Sequence, residues 1–218
     1  MKRWIHYSSR WFICMLAASM PTFVFAAQVI ELPKHPEKVG VDLVTALELR
    51  KTTREFAPGK LATEDLSAIL WAANGVNRPD GKRTAPTAHG KQYIDIYLAG
   101  GDGIYLYDAP NHVLKLVKNG NEKTRLAHQK HVGEASYVLV LIADMTKMDK
   151  SFGNNETKLN FANATAGTIA QNVALMCAAK SIGTGVVASI EENYIRRALN
   201  LTKQQVPLYV MPLGYMKK

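Results

Sequence analysis

The stretch Leu159 to Gly185, LNFANATAGTIAQNVALMCAAKSIGTG, decides the fold. Its first part, Leu159–Lys180, is rich in alanine and predicts the longest helix of the chain, closed by Gly183. The segment Ser181-Ile182-Gly183-Thr184-Gly185-Val186-Val187-Ala188-Ser189 that follows reads as a turn whose glycines end the helix in a left-handed cap. It is not a dinucleotide fingerprint, because no strand leads into it and no helix opens from it. Working outward, Ser136–Ala143 is a continuous apolar run between polar residues, the pattern of a strand covered on both faces. Tyr93–Ala99, Gly103–Tyr107 and Val113–Val117 read as strands of an antiparallel meander, the last two joined by the turn Asp108-Ala109-Pro110-Asn111. On the far side, Glu191–Asn200 predicts a short amphipathic helix and Pro207–Leu213 a final buried strand. Nearer the N-terminus, Asp42–Lys51 puts Leu43, Val44, Leu47 and Leu49 on one helical face. Thr63 caps a second helix carrying Leu66, Ile69, Leu70 and Trp71, which Asn74-Gly75 ends. No internal repeat or low-complexity stretch interrupts this pattern.

The first 26 residues carry a different signal. Lys2, Arg3 and Arg10 form a basic start, Trp11–Val24 is apolar, and Val24-Phe25-Ala26 offers a small-residue cleavage site. The apolar run is shorter than the ~20 residues that span a bilayer. Residues 1–26 therefore read as a signal peptide of the general secretory route, and the mature protein as exported, in a bacterium periplasmic, with no stable membrane insertion. Cleavage removes three of the 27 basic residues and none of the 18 acidic ones, leaving a net charge of +6 on 192 residues. That length suits one domain with its own core, over residues 39–218, preceded by an extended arm over 27–38 in which Pro33 and Pro36 sit among polar groups. The moderate positive charge suits anionic ligands such as phosphates, while no Lys/Arg run is long enough for nucleic acid. Cys177 alone survives processing, so no internal disulfide is available and packing must supply stability.

Three separate segments carry chemistry. Arg50-Lys51-Thr52-Thr53-Arg54-Glu55-Phe56 places cations and hydroxyls where they can surround a phosphate, although basic residues in the last turn of a helix also complement its dipole. Arg83-Thr84-Ala85-Pro86-Thr87-Ala88-His89-Gly90-Lys91-Gln92 is a loop with a rigid proline and small residues that let its backbone approach a ligand; a solvated connection would read the same way. Val187-Ala188-Ser189, after the glycines, is the third. His128 and His131 lack the companions a metal site needs, so no metal is expected.

Taken in order, these segments resemble the nitroreductase family. The matching motifs are Arg50-x-x-x-Arg54-x-Phe56, the helix Thr63-Glu64-Asp65-Leu66 through Gly75, the Pro86-Thr87-Ala88 loop, and the hairpin Gly103–Asp108 with His112. Gly167-Thr168-Ile169-Ala170-Gln171-Asn172, Ser181–Gly185 and Pro212-Leu213-Gly214-Tyr215 complete the set. The sub-branch they resemble includes the thiazole- and oxazole-forming dehydrogenases. The resemblance implies an α+β fold with a mainly antiparallel central sheet flanked by helices, and a long helix at the core of a homodimer. It implies FMN, with Arg50, Lys51, Thr52 and Arg54 around its phosphate and ribityl chain, and Lys217 or Lys218 standing in for the C-terminal phosphate ligands of other members. Pro86, Thr87, Ala88 and Gln92 would lie on one side of the flavin ring, and the backbone of Val187, Ala188 and Ser189 on the other. No side chain is expected to act as acid, base or nucleophile, because the flavin carries the chemistry. The function implied is ping-pong transfer from a small-molecule donor, NAD(P)H or another reductant, to a nitro compound, quinone or similar acceptor. Dehydrogenation of azolines in a peptide and a non-enzymatic flavin carrier or sensor are the alternatives.

Overall fold

Among the described residues every strand pairs antiparallel with its neighbours in the sheet, and the apolar run that ends at Ala143 lies inside that sheet. The structure, a computed structural model, describes Met1 and residues 28–217. The rest of the segment read as an export signal, together with Ala27 and Lys218, lies outside the described residues. In chain order the elements are β1 (Val29–Glu31), α1 (Leu43–Leu49), α2 (Thr63–Asn74), β2 (Ile94–Ala99), β3 (Gly103–Asp108) and β4 (Val113–Asn119). There follow α3 (Lys130–Glu134), β5 (Tyr137–Asp144), α4 (Asn155–Ala179), β6 (Ile182–Thr184), α5 (Glu192–Ala198) and β7 (Gln205–Tyr215). The strand order is β1-β4-β3-β2-β5-β7-β6. Alternation along β5 explains why its sequence is apolar throughout: Leu139, Leu141 and Ala143 face α2 and α4, while Val138, Val140 and Ile142 face Leu126, Val132, Ile195 and Leu199 on the opposite side.

Three local readings are corrected. The apolar side of α1 does not enter the core: Leu43, Val44, Leu47 and Leu49 are 50–65% exposed, and Ala46 alone is buried. Helical periodicity reports a face that seeks cover, not what covers it. Thr63 is the first residue of α2 and Ala62 occupies the cap, with no side-chain bond to the helix end. Gly183 does not close α4. The helix stops at Ala179, Ser181 takes the left-handed conformation at φ 56°, and Gly183 lies in β6. A Cβ on Gly183 would stand 2.7 Å from Cγ2 of Thr53, so this glycine is needed for close strand approach.

The N-terminal arm is extended, and part of it, β1, adds an edge strand beside β4. Its next turn is fastened at one polar cluster. Ser67, fully buried in α2, donates to the Pro33 carbonyl, and Nε2 of His112 lies 2.8 Å from the Ser67 hydroxyl and 3.1 Å from the same carbonyl. Tyr107 Oη is 2.9 Å from His112 Nδ1. A neutral imidazole protonated on Nε2 satisfies the whole set, with Tyr107 donating to Nδ1. Burial holds the His112 pKa below its ordinary 6.5. The unfolded chain thus takes up this proton first as pH falls. The stabilisation is complete above the ordinary value and is lost as pH drops through it and then through the lower folded value. The melting temperature is expected to fall more steeply between neutrality and about pH 5 in the native protein than in His112→Gln; equal slopes would contradict this role.

Candidate functional site

The free edge of β6 and β7 is where the first and third chemical segments meet. After α1 ends at Arg50, the chain runs along this edge. Thr52 bridges Thr184, the Thr53 amide donates to the Thr184 carbonyl at 2.8 Å, and Phe56 bridges Met216. The Lys217 amide then bonds the Glu55 carbonyl. The approach is tight: a Cβ on Gly185 would lie 2.7 Å from Cγ2 of Thr52. Beyond β6 the chain continues down the same edge, where Val187 exchanges two backbone hydrogen bonds with Val210. Ser189 is held by Gln129, which donates to its hydroxyl, and by the His128 amide, which donates to its carbonyl.

An open pocket of ≈ 290 Å³ sits on this edge, walled by Lys51, Thr53, Thr184 and Met216 and floored by Ala174 and Ala178 of α4. Two hydroxyl oxygens here, Thr53 Oγ1 and Thr184 Oγ1, are buried without a hydrogen-bond partner in the chain. Of the cations on these segments Lys51 lines the pocket, Arg50, Arg54 and Lys217 are exposed beside its lining residues in the chain, and none of the four pairs with a carboxylate among the described residues. Glu48 is the one acid in the wall. Unpaired guanidinium and ammonium groups next to unsatisfied hydroxyls are the donor set that a phosphate with a polyol chain requires, so the residues fit such a group.

The Pro86-Thr87-Ala88 loop lies elsewhere on the same chain. The Ala88 amide donates to Tyr93 Oη, which bonds Oγ1 of Thr165 in the first half of α4. His89, left-handed at φ 53°, packs its ring on Phe152. Thr165 and Ala178 are thirteen residues apart on one helix, about 20 Å along its axis. Gln92 turns into a third place, a cavity it shares with Arg83 and Asn74. One chain thus gathers Arg50, Lys51, Thr52, Arg54, Val187, Ala188, Ser189 and Lys217 on one edge, and leaves Pro86, Thr87 and Ala88 toward the other end of α4. Thr53 and Thr184 were not singled out by sequence, since the hydrogen bond between them joins positions 131 residues apart.

Two further features bear on assembly. The outward face of α4 is built from Ala164, Gly167, Thr168 and Gln171, all exposed. Leu43, the first of the exposed leucines of α1, lines a groove that reaches Trp71 of α2 and Leu175 of α4. Among the described residues no helix is long and apolar enough to cross a membrane, and no cluster of three metal-ligating side chains forms.

A family model described as the nitroreductase family matches residues 47–215. A candidate nitroreductase of Methanocaldococcus jannaschii is 29% identical over 195 residues, covering 85% of this chain and 95% of that protein. Among solved structures, a candidate nitroreductase from Ralstonia eutropha superimposes with a TM-score of 0.82 at 34% identity, covering 87% of this chain and 90% of the other. The Escherichia coli microcin synthetase complex with truncated pro-microcin bound contains a similar chain, at TM-score 0.66 and 19% identity over 87% of this chain and 79% of that one. At that identity the likeness shows the fold.

Proposed function

Because this chain belongs to the nitroreductase family of oxidoreductases, we propose that it is an FMN-dependent oxidoreductase that works as a homodimer with its flavin sites shared between the two copies. The observation that carries this reading is the cradle, the pocket at the β6–β7 edge where the orphaned hydroxyls of Thr53 and Thr184 share the wall with Lys51, and exposed Arg50, Arg54 and Lys217 stand on the segments that form it. Arg50 and Arg54 would hold the phosphate, with Lys51 and Lys217 adding charge, and Thr52 and Thr53 would meet the ribityl chain. The exposed backbone at Ala188 and Ser189 would face the ring. When bound, the flavin itself supplies the electron and hydride transfer.

The second side of the ring must come from the partner, and the position of each segment along α4 supports this. A twofold axis passing near Gly167–Gln171 would lay two α4 helices side by side in opposite directions. The small exposed residues there permit close approach. The Thr165 end of one helix would then lie beside the Ala174–Ala178 end of the other, bringing the partner loop Pro86–Ala88 to the cradle. Burial of the exposed α1 leucines in the same contact accounts for an apolar face that one chain leaves in water.

The acceptor is then a small nitro compound or quinone, and the donor NAD(P)H or, for an exported protein, a protein or quinol reductant. Peptide dehydrogenation rests on a likeness that shows the fold alone. A visible spectrum of the protein lacking residues 1–26 tests the central assignment. A yellow preparation that releases FMN on heating is expected; a colourless one that takes up no added FMN would overturn it.

A further inference from the structure

A second cavity lies at the other end of the sheet, where β2 and β3 part. β2 pairs with β5 along its whole length, from Ile94 to Ala99, but with β3 only from Tyr97 to Ala99. β3 pairs with β4 down to Asp108, but with β2 no further than Leu106. The facing sides of Ile94–Ile96 and of Tyr107–Asp108 are therefore left without a ladder partner, and the strands open into a space of ≈ 270 Å³. Arg83 reaches into this space from the loop after α2.

The chemistry of the walls is unbalanced in a specific way. Five charged side chains line the cavity: Arg83, Lys115, Lys147, Asp95 and Asp108. Lys115 pairs with Asp108 at 2.6 Å and Lys147 with Asp95 at 2.6 Å, so Arg83 is the cation that these pairs leave over. Its Nε is buried with no acceptor. On the same walls Oδ1 of Asn74, a residue only 1% exposed, and Oε1 of Gln92 are buried with no donor. Unmade bonds of this kind destabilise a fold when left permanently, and three converge on one cavity. The burial of Arg83 also disfavours its charge, a penalty that a bound anion would relieve.

We propose that this cavity binds a small carboxylate that carries a hydroxyl next to its carboxyl group. The guanidinium fork matches a carboxylate in two-point contact, and a single leftover positive charge matches a monoanion better than a phosphate dianion. The neighbouring hydroxyl supplies one of the donors that the amide oxygens of Asn74 and Gln92 lack. The volume lies below the range of about 300–1,000 Å³ usual for drug-sized ligands, which restricts the occupant to a few carbon atoms. The cavity does not depend on the flavin reading, because it lies across the sheet from the β6 edge and shares none of the cradle residues.

Calorimetric titration of the full protein with lactate, alanine, acetate and inorganic phosphate tests this. Lactate is expected to bind roughly two- to tenfold more tightly than acetate, the ratio for one added hydrogen bond of ordinary strength, alanine, a net-neutral zwitterion, more weakly than lactate, and phosphate not at all. Arg83→Gln is expected to abolish the heat while its flavin content and melting temperature stay near those of the native protein. Arg83→Lys, which keeps the charge and loses the fork, should bind more weakly than the native protein. No heat with any of the four probes would mean that water alone fills the cavity, and would overturn the proposal. Equal affinity for acetate and lactate would remove the role of Asn74 and Gln92, and loss of flavin from folded Arg83→Gln would assign Arg83 to the flavin site; either result contradicts it.

Discussion

The double variant Arg50→Ala, Arg54→Ala is expected to be purified colourless, with an apoprotein melting temperature close to that of native apoprotein. Both side chains are exposed and form no ion pair among the described residues, so the fold owes them little, and such surface changes fall within about 0.5 kcal/mol. Their contribution to ligand binding is of another size. A hydrogen bond to a charged group contributes about 1.5–3 kcal/mol, so losing two weakens FMN binding on the order of 10² to 10⁴-fold. Fluorescence titration with FMN measures this. The comparison must use apoproteins, because bound flavin raises the melting temperature by mass action alone. A variant that remains yellow after purification would show that the phosphate is held elsewhere.

The second large effect is expected from Gly167→Arg, far from the cradle residues. Gly167 is exposed, and a Cβ at this position would meet nothing within 4 Å in its own chain. The monomer should tolerate the change and even gain a few tenths to about 1 kcal/mol, since glycine is a poor helix former. Between two α4 helices in close contact the arginine has no room. The variant is therefore expected to run as a monomer in sedimentation and to lose its flavin, although no residue of the cradle has changed. A dimer with normal flavin content would place the twofold contact on another surface.

What could be read from the sequence depended on how far each signal reaches along the chain. β5 was legible because a strand covered on both faces must be apolar at every position, and this appears as an unbroken run. The meander β2–β3–β4 was legible because its turns are local. The α1 face misled because Leu43, Val44, Leu47 and Leu49 form a sound amphipathic helix whose cover is not among the described residues. Gly183 misled for a related reason. A glycine soon after a helix is read as a cap, whereas here it makes room for Thr53, which folding alone brings near. Within the site, the cations at 50–54 were visible as a cluster, but the orphaned hydroxyl of Thr184 has no sequence signature. Gln92 was assigned with its loop neighbours, yet the chain turns at Gly90, at φ 67°, and Gln92 ends in the cavity beside Arg83.

The claim on which the functional account turns is that each flavin site takes its phosphate half from one chain and its Pro86–Ala88 half from the other. Two variants, each broken in one half, decide it: Arg50→Ala, Arg54→Ala in one chain and Pro86→Trp in the other, where Pro86 is exposed and free to change. Each alone should be flavin-free. Unfolded together, refolded and separated by affinity tags, the mixed dimer is predicted to hold one flavin, because one of its two sites then combines both intact halves. A mixed dimer with no flavin would mean that both halves of every site lie in the same chain, and would contradict the account.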